Sequence, residues 1–581
     1  MQTRAVTISR PGKEEDMDKK GNAFLVIVLA LAVLVGIYYS SADAEKAKSY
    51  TSGGAKKTLA SEKNVNVETC YGCHEPIKQL HKMGKHSKIN CSYCHKGLDR
   101  HLKGPGPDTR PVTETSWEAC GQCHSAQYES FMKGAYHRPA RDEKSQLTNR
   151  SPNPFWDKLM MGHGFTKEHD LTRSHSWMLV DHLVVDRAYG GRFQGKDGWQ
   201  YIFQTGKAWD VLVDKYPDSK EHKTFIPQSA AAANPVCLQC KSQDQILKWA
   251  YMGDPEKGTT WSRTSNVVEF VKDLQHGLNC FYCHDPHAAK PRIVRDGLIN
   301  ALTRPEEDTL WHKDPKRTGI KVVDLGVRGF PRKIALLDKY DTRLQCGQCH
   351  VEYNCNPGYD PKNPDTSKYS VTMSDRRTNH FPYKEVFDLY DHYVNKVSFL
   401  DFKHALTGGL LWKAQHPESE THYNSKHAKA GVGCDDCHTP KVKDKKSGKT
   451  YTSHFAVTPR VQLKSTCLKC HSKWTEEEAR YAIDSIKAFG KGKMRKAEFW
   501  LSALIDKIVE AKKAGLDEET IKKAQDQHLR AHILWEYWTA ENSDGFHNPE
   551  AARESLTRSV DESQKGIKIV NDALSAKTAQ K

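Results

Sequence analysis

The residues with the clearest chemistry in this sequence are pairs of cysteines separated by two residues. Seven pairs are followed directly by histidine, and an eighth, Cys237 and Cys240, is followed by Lys241. In Cys-x-x-Cys-His, the attachment signal for c-type haem, both thiols bond to one porphyrin and the histidine is an axial iron ligand. The eight pairs therefore predict eight covalently bound haem c groups. The seven regular motifs are Cys70-Cys73-His74, Cys91-Cys94-His95, Cys120-Cys123-His124, Cys280-Cys283-His284, Cys346-Cys349-His350, Cys434-Cys437-His438 and Cys467-Cys470-His471.

Other uses of paired cysteines explain this pattern less well. Two such pairs hold zinc in a zinc ribbon, and the segment from Cys70 to Cys94 has a suitable length. Zinc, however, does not require a histidine after every second cysteine. A thioredoxin-like pair occurs once, near a βαβ pattern, and disulfide bonds do not require a constant two-residue gap. Haem attachment is therefore favoured over all three alternatives.

The lysine in the irregular motif indicates a haem with a different role. At Lys241 an amine takes the place of the imidazole as proximal ligand, and no side chain is required on the opposite face of the iron. An open iron face allows a substrate to bind there. The alternative is a degenerate motif whose haem is only structural.

Electron-transfer haems commonly have two axial side chains, and this sequence has enough histidines to supply them. It contains 29 histidines, of which the regular motifs use seven. The best placed of the others lie beside haem motifs or within haem-rich stretches. The alternative for each is a surface position or a contact with a haem propionate. The predicted distal ligands are His86, His276, His287, His404, His427 and His454.

Composition agrees with a core built around porphyrins. Apolar residues make up only 37% of the chain and the mean hydropathy is −0.73, which is low for its length. Eight porphyrins would supply the missing apolar volume. The formal charge of +16 omits the two propionates of each haem, so the excess lysine and arginine is expected to neutralise propionates and attract small anions. No aromatic-basic pattern of a nucleic-acid-binding protein is present, and nucleic acid is not an expected partner.

The N-terminus predicts an exported, periplasmic protein. An apolar run over residues 23–39 follows Lys19 and Lys20, and residues 42–44 (Ala-Asp-Ala) form a cleavage site of the signal-peptidase type. Haem c is also attached outside the cytoplasm. The alternative is an uncleaved membrane anchor, because the run approaches the length of a membrane span. Translation starts at Met1 or at Met17, and the second start gives a compact signal peptide.

The distribution of the motifs predicts four regions in a mainly α, haem-packed fold with few strands. These are a signal peptide or anchor (1–44), a three-haem domain (45–130), a catalytic five-haem domain (131–474) and a region of long helices (475–581). Thr475 with Glu478 predicts a capping box at the start of the last region. An apolar stripe then predicts a helix there, and its residues are Phe499, Leu501, Leu504, Ile505 and Ile508.

Several stretches resemble cytochrome c nitrite reductases. Residues 346–353 (Cys-Gly-Gln-Cys-His-Val-Glu-Tyr) and 413–417 (Lys-Ala-Gln-His-Pro) resemble their active-site signatures, and that family also has a Cys-x-x-Cys-Lys haem motif. Residues 540–547 resemble its long-helix region. The last five motifs match the pentahaem members. Three additional haem motifs and the stretch 351–358 resemble the octahaem, ammonia-forming members.

The resemblance implies a set of active-site residues. Lys241 is implied as the proximal ligand of the catalytic haem, with Tyr353 and protonated His416 in the distal pocket. The distal arginine of the octahaem family lies in an Asp-Arg-Ala-Tyr-Gly-Gly-Arg segment, which corresponds here to Arg187. Pentahaem members carry it in a Leu-Arg-Thr-Gly segment, where this chain has Phe203-Gln204-Thr205-Gly206. The resemblance also implies calcium bound by the Glu352 and Gln415 side chains and the Tyr353 and Lys413 carbonyls, which are hard oxygen donors.

Cys355 is the one cysteine outside the haem motifs. In the octahaem family a cysteine two residues after the catalytic tyrosine forms a thioether with its ring. The resemblance therefore implies a cross-link between Tyr353 and Cys355. The alternative is a free, buried thiol.

The activity that the resemblance implies is six-electron reduction of nitrite to ammonium. Side activity on hydroxylamine, nitric oxide and sulfite is expected, and sulfite resembles nitrite as a small bent or pyramidal anion. A hydroxylamine oxidoreductase-like enzyme and a multihaem electron conduit are the alternatives. The electron donor is expected to be a quinol dehydrogenase or a small cytochrome. The resemblance also implies a homo-oligomer, either a trimer or a hexamer.

Overall fold

The computed structural model describes residues 63–114, 116–136, 155–162, 175, 178, 240–242, 277–305, 307, 309–327, 331–352, 358–363 and 385–580. Helices dominate these residues and the strands are short, which confirms the predicted mainly α fold. The chain separates into two compact units, one formed by residues 1–64 and 92–112 and the other by residues 65–91 and 113–581. The four predicted regions remain a prediction. No described helix is both long enough and apolar enough to cross a membrane.

Most helices before residue 475 are short, because haem motifs, glycines and prolines interrupt them. Several begin or end within a haem motif, so the motifs themselves determine the local backbone. They are α1 Val67–Tyr71, α2 Glu75–Met83, α3 Leu98–Lys103, α4 Trp117–Gly121, α5 Ser125–Tyr136, α6 Trp156–Leu159, α7 Cys280–Cys283, α8 Asp296–Thr303, α9 Thr342–Cys346, α10 Glu418–Tyr423, α11 Lys426–Lys429, α12 Cys434–His438 and α13 Cys467–Cys470. A π-helix also spans Asp391–Val397.

The largest sheet among the described residues has four antiparallel strands in the order β3-β4-β6-β5. Ile320 pairs with Leu337 in its β5–β6 hairpin, and Arg292 pairs with Leu336 between β4 and β6. The sheet starts directly at a haem motif, since β3 begins at His284. The strands are β1 His95–Lys96, β2 Val112–Thr113, β3 His284–Asp285, β4 Lys290–Ile293, β5 Ile320–Val327, β6 Pro331–Leu337, β7 Phe402–Lys403, β8 Leu410–Leu411, β9 Lys441–Lys443 and β10 Thr450–Thr452.

Three long helices form the C-terminal region: α14 Glu476–Lys513, α15 Glu518–Ala540 and α16 Pro549–Ala579. The predicted capping box is confirmed, because Thr475 Oγ1 accepts from the Glu478 N–H at 3.1 Å while Glu478 Oε2 accepts from the Thr475 N–H at 2.7 Å.

The apolar stripe on α14 is confirmed with one exception. Leu501, Leu504, Ile505 and Ile508 are fully buried, whereas Phe499 is 55% exposed. A helix has 3.6 residues per turn, so Phe499 lies on the face opposite Leu501. The prediction that Phe499 belongs to the stripe is therefore wrong.

The main apolar core joins the long helices to the segments that carry the candidate site. Trp535, Tyr537 and Trp538 of α15 are buried in it, together with Trp412 and Tyr393. Trp156 also packs there, with its ring 5.6 Å from that of Trp535. Burying an aromatic side chain typically contributes about 1.5–3 kcal/mol. The long helices therefore pack against the segment of residues 402–418.

Candidate haem-binding and active site

At least five of the regular haem motifs contain the same backbone hydrogen bond across one helical turn. The histidine N–H donates to the carbonyl of the first cysteine, from His74 to Cys70 (2.9 Å), His124 to Cys120 (3.0 Å), His350 to Cys346 (2.8 Å), His471 to Cys467 (2.9 Å) and His284 to Cys280. Residues three and four apart lie on the same side of a helical turn. The local fold thus directs both thiols and the imidazole of a motif to one side, as porphyrin attachment requires.

Cysteines of different motifs lie next to each other. Among the described residues, three pairs of thiols lie close enough to shift each other's pKa, and each pair joins two motifs. The hydrogen bond with Cys346, against the opposing effect of burial, lowers the pKa of Cys434 to about 7. The motifs that contribute these pairs therefore lie close together in space. The pairs are Cys120–Cys280, Cys240–Cys349 and Cys346–Cys434.

Four histidines of regular motifs each face a second histidine at nearly the same distance. Two of the partners, His86 and His454, are predicted distal ligands. The other two, His175 and His547, were missed by the sequence analysis. The distances between ring centres are 6.1 Å for His86–His124, 6.3 Å for His284–His454, 6.4 Å for His175–His350 and 6.3 Å for His438–His547.

Most of these imidazoles are held through the same ring nitrogen, Nδ1. His86 Nδ1 lies 2.7 Å from the Pro286 carbonyl, His438 Nδ1 lies 3.1 Å from that of Val457, and His454 Nδ1 lies 3.0 Å from that of Thr452. His547 Nδ1 contacts Glu541, and His350 Nδ1 lies 3.6 Å from Glu418 Oε2. An acceptor at Nδ1 fixes the tautomer and leaves Nε2 for a metal.

The other described candidates for distal ligands have different surroundings. Both ring nitrogens of His404 are used by the backbone, because Nε2 lies 2.8 Å from the Lys158 carbonyl and Nδ1 accepts from the Thr407 N–H at 3.2 Å. This arrangement leaves neither nitrogen of His404 for an iron atom. His427 stacks on Phe546 and is close enough to His471 to lower its own pKa, although burial is the larger cause. His287 Nδ1 lies 3.9 Å from Asp285 Oδ1.

Lys241 is buried in the region where these motifs meet. Its neighbour Cys240 is also buried and accepts a hydrogen bond from Arg295 Nη1 at 2.9 Å. The positive charge of Lys241 contributes to pKa shifts of His175, His350 and His416. Lys241 therefore lies within electrostatic range of His175, His350 and His416.

His416 is buried close to His350, and the centres of the two rings are 6.5 Å apart. Burial, followed by the charge of Lys241, lowers the pKa of His416 well below its usual value. Both effects favour the neutral form of His416, and its protonated role remains a prediction.

Glu418 is the anionic group beside these histidines. Burial opposes its ionisation, but the close contact with His350 and the charges of His350 and His416 outweigh burial and lower its pKa to about 2. The same carboxylate raises the pKa of His350 against the effect of burial. Asn542 donates to Glu418 Oε1 at 3.0 Å and links the pocket to the end of α15.

The predicted calcium ligands that the structure describes lie together. The Gln415 N–H donates to Glu352 Oε2 at 2.7 Å, and both residues are buried. Burial raises the pKa of Glu352, and the charges of Glu420 and Asp401 add to the rise. Gln415 Nε2 has no hydrogen-bond partner among the described residues. The set fits a hard cation, which would neutralise the clustered carboxylates and occupy the Gln415 amide.

Five predicted site residues lie outside the described part of the chain, and their predicted roles are not tested. They are Arg187, Cys237, His276, Tyr353 and Cys355. In the described residues, no cluster of three or more histidine, cysteine, aspartate or glutamate side chains is arranged to hold a metal ion. The calcium prediction depends partly on Tyr353 and on carbonyl oxygens, which such a cluster does not include.

The two missed histidines differ in the signal that the sequence offered. His547 belongs to the stretch 540–547 that carried the family resemblance, so its motif had been found without a role. His175 lies far from any cysteine pair in sequence. Only the fold brings it to His350, where its own carbonyl accepts from the Leu278 N–H at 3.1 Å.

The repeated one-turn motifs and the paired imidazoles define a c-type cytochrome with several haem sites. Residues 115–581 match the family described as cytochrome c552, and the chain belongs to this family. The match begins after the first two haem motifs, which end at His74 and His95.

Several known proteins are similar to this chain. The cytochrome c nitrite reductase subunit NrfA of Nitratidesulfovibrio vulgaris is 27% identical over 73% of this chain and 70% of its own length. Cytochrome c-552 of Haemophilus ducreyi is 25% identical over 78% of this chain and 74% of its own.

A solved structure shares the fold. It is the cytochrome c nitrite reductase of Desulfovibrio desulfuricans, a catalytic subunit described with two calcium sites. The TM-score is 0.52 at 21% identity, over 79% of this chain and 86% of that one.

Proposed function

We propose that this protein is an octahaem c-type cytochrome that reduces nitrite to ammonium by six electrons at a haem attached through Cys237 and Cys240. The observation that carries the proposal is the burial of Lys241 beside His416 and His350, where the lysine motif meets regular haem motifs. The NrfA relative of Nitratidesulfovibrio vulgaris supports nitrite as the substrate.

The paired imidazoles support haem sites with two histidine ligands. A metal–imidazole bond of about 2 Å on each side of an iron atom places the two ring centres roughly 6 Å apart. The four pairs have ring centres 6.1 to 6.4 Å apart. His86, His454, His175 and His547 are therefore proposed as distal ligands of the haems held by His124, His284, His350 and His438. For the haem of His471, His427 is the proposed ligand.

The catalytic site is proposed to differ from these pairs by its open iron face. When bound, the haem supplies an iron atom that binds nitrite and delivers electrons to it. Lys241 would hold that iron from the proximal side. Arg187 would attract the anion, and Tyr353 would donate protons, in the roles that the family resemblance implies.

His416 is proposed to act as a neutral imidazole. A neutral ring donates a hydrogen bond from one nitrogen and accepts a proton at the other, so it can relay protons to the substrate. The anion at Glu418, whose pKa is about 2, stabilises the transient cation that forms during such a relay. Burial favours return of His416 to the neutral form.

Calcium is the proposed second cofactor, held by Glu352 and Gln415 together with the Tyr353 and Lys413 carbonyls. Lys413 is anchored for this role, since its N–H donates to Asp401 Oδ2 at 2.8 Å. A calcium ion would offset the charges of Glu352, Glu420 and Asp401. The Tyr353–Cys355 thioether is part of the same proposal and would fix the phenol ring.

The proposal also includes a periplasmic location and an electron donor that is a quinol dehydrogenase or a small cytochrome. The apolar run over residues 23–39 and the cleavage-type stretch 42–44 support export, with retention as an anchor if cleavage does not occur. A homo-oligomer, trimer or hexamer, is proposed from the family resemblance alone. Hydroxylamine, nitric oxide and sulfite are the proposed secondary substrates.

A stoichiometric assay tests the activity. With excess reductant, the purified protein is expected to consume six electrons and form one ammonium for each nitrite. The His416→Ala variant is expected to lose at least tenfold in the rate of ammonium formation with its haem content unchanged, because general acid–base groups typically contribute 10²–10⁴-fold. His312→Ala is a matched control, since His312 contacts Thr309 and lies outside the pocket.

Other outcomes of the assay identify the alternatives. An electron conduit would show only six-coordinate haems and no nitrite consumption. A hydroxylamine oxidoreductase-like enzyme would oxidise hydroxylamine faster than it reduces nitrite. Full ammonium formation by His416→Ala would remove His416 from the mechanism.

A further inference from the structure

A buried arginine, Arg295, lies beside the lysine motif and has no role in the function proposed above. It directly precedes α8, and only 3% of its surface is exposed. Its Nη1 donates to Cys240 Sγ at 2.9 Å. This sulfur is the atom that would carry one thioether bond to the haem next to Lys241.

The guanidinium of Arg295 also lies close to two other haem motifs. Its charge acts on Cys349 of the His350 motif and on Tyr282 of the His284 motif. These two motifs are in contact, because Cys349 Sγ lies 3.6 Å from the Tyr282 hydroxyl group. Arg295 therefore lies within electrostatic range of the motifs that end in Lys241, His284 and His350.

The backbone of Arg295 is held by the His350 motif. The buried Gln348 side chain accepts from the Val294 N–H at 2.8 Å and from the Arg295 N–H at 3.4 Å. Gln345 donates to the Arg292 carbonyl at 2.8 Å. These bonds attach the chain at residues 292–295 to a haem motif, so the backbone that carries the Arg295 side chain is held in place.

The nearby Arg292 shows what a purely structural arginine looks like in this segment. Its Nη1 lies 2.9 Å from Asp285 Oδ2, and its Nε donates to the Phe281 carbonyl at 2.8 Å. That ion pair offsets the charge of Arg292. Arg295 differs in that one of its contacts is with a sulfur atom of the lysine motif.

We infer that Arg295 sets the reduction potential of the haem at the lysine motif, by holding a positive charge and a hydrogen-bond donor against its Cys240 attachment. The inference rests on the proposed function only in assuming a haem at this motif. A nearby positive charge stabilises the state that has gained an electron, and it does so strongly in a buried, low-dielectric region. Arg295 is thus a positioning residue. Its charge would make this haem the preferred electron acceptor among the neighbouring haems.

Four variants of the haem-loaded protein test the inference. Arg295→Gln and Arg295→Met remove the charge, Arg295→Lys keeps it, and Arg460→Gln removes the same charge from an exposed ion pair with Asp484 (2.6 Å). Potentials are measured without nitrite by redox titration, followed by absorbance and by the high-spin ferric electron paramagnetic resonance signal. Pyridine haemochrome assays measure the haem content.

We expect the reduction potential of the lysine-motif haem to depend on the charge at residue 295 and on the location of that charge. At a fixed applied potential, the reduced-to-oxidised ratio of the lysine-motif haem falls about tenfold in both neutral variants, which corresponds to about 59 mV for a one-electron couple. In Arg295→Lys most of the ratio is retained, and in Arg460→Gln it is unchanged.

Three results would overturn the inference. The first is an unchanged potential in both neutral variants with full haem content. The second is an equal shift in Arg295→Lys, and the third is loss of haem from both neutral variants, which would assign Arg295 to folding. Since no nitrite is present, these results are independent of whether the wild-type protein reduces nitrite.

Discussion

At the scale of single residues, the properties of each proposed ligand histidine depend on the group that contacts its Nδ1 atom. Glu541 is fully buried and contacts His547 Nδ1, while the Ser543 hydroxyl donates to its other oxygen at 2.6 Å. Burial lowers the pKa of His547, but Glu541 outweighs this effect and the pKa is raised. A carboxylate on a ligand imidazole increases the basicity of that ligand, which favours the oxidised metal.

The variant Glu541→Gln is therefore expected to raise the reduction potential of the haem that His438 and His547 would hold. Removal of the carboxylate weakens the imidazole as a donor and stabilises the reduced iron. Redox titration of the loaded protein measures the change. Glu550→Gln is the control, because Glu550 is partly exposed and pairs with Lys426 on the surface. A lower potential in Glu541→Gln would contradict the assignment of His547 as a ligand.

At the scale of elements, the long helices hold the site through close backbone approaches. Gly490 in α14 faces the carbonyl of Asp544, in the turn between α15 and α16 that also contains His547 at its end. A side chain at Gly490 would collide with this carbonyl. Gly492, two residues later on the same helix, is exposed and has no atom near its missing Cβ. Substitution of Gly490 by alanine therefore tests packing, whereas the same substitution at Gly492 tests helix propensity alone.

The variant Gly490→Ala is expected to destabilise the protein by about 1–3 kcal/mol, the usual cost of overpacking. Gly492→Ala is expected to stabilise it by roughly 0.5–1 kcal/mol, because alanine restricts the unfolded chain and favours a helix. Thermal unfolding of the two variants in parallel measures both effects. Equal effects in the two variants would show that the contact with Asp544 is not tight.

At the scale of the whole molecule, porphyrins are expected to complete the core. Among the described residues, the largest cluster of buried apolar side chains joins the C-terminal helices to the segments that pack on them. Two smaller clusters lie before residue 352, on and around the four-stranded sheet. A chain with only 37% apolar residues has few other apolar side chains with which to extend these smaller clusters.

Protein made without haem attachment is therefore expected to retain the helicity of α14, α15 and α16 but to lose cooperative unfolding elsewhere. Circular dichroism during thermal unfolding, with limited proteolysis of the same sample, measures this loss. Early cleavage is expected before residue 475. A single sharp transition like that of the loaded protein would mean that the polypeptide forms the core by itself.

The sequence by itself determined the features that depend on local spacing. The spacing of two cysteines and a following histidine is itself the haem attachment signal, so the attachment sites needed no tertiary information. The capping box at Thr475 and most of the stripe on α14 depend on the same local geometry. The family resemblance identified His416 and Glu352 as candidate site residues. Each lies in a short continuous stretch, residues 413–417 or 346–353, that resembles a family signature.

Only the tertiary structure decided which groups face each other. His175 and His350, or His438 and His547, are far apart in sequence, and no local pattern connects them. The structure also showed that backbone groups lie within hydrogen-bonding distance of both nitrogens of His404. It showed that burial and the charge of Lys241 lower the pKa of His416 and that Arg295 contacts Cys240. Pairing, burial and charge all depend on distances across the fold, whereas the sequence specifies directly only distances along the chain.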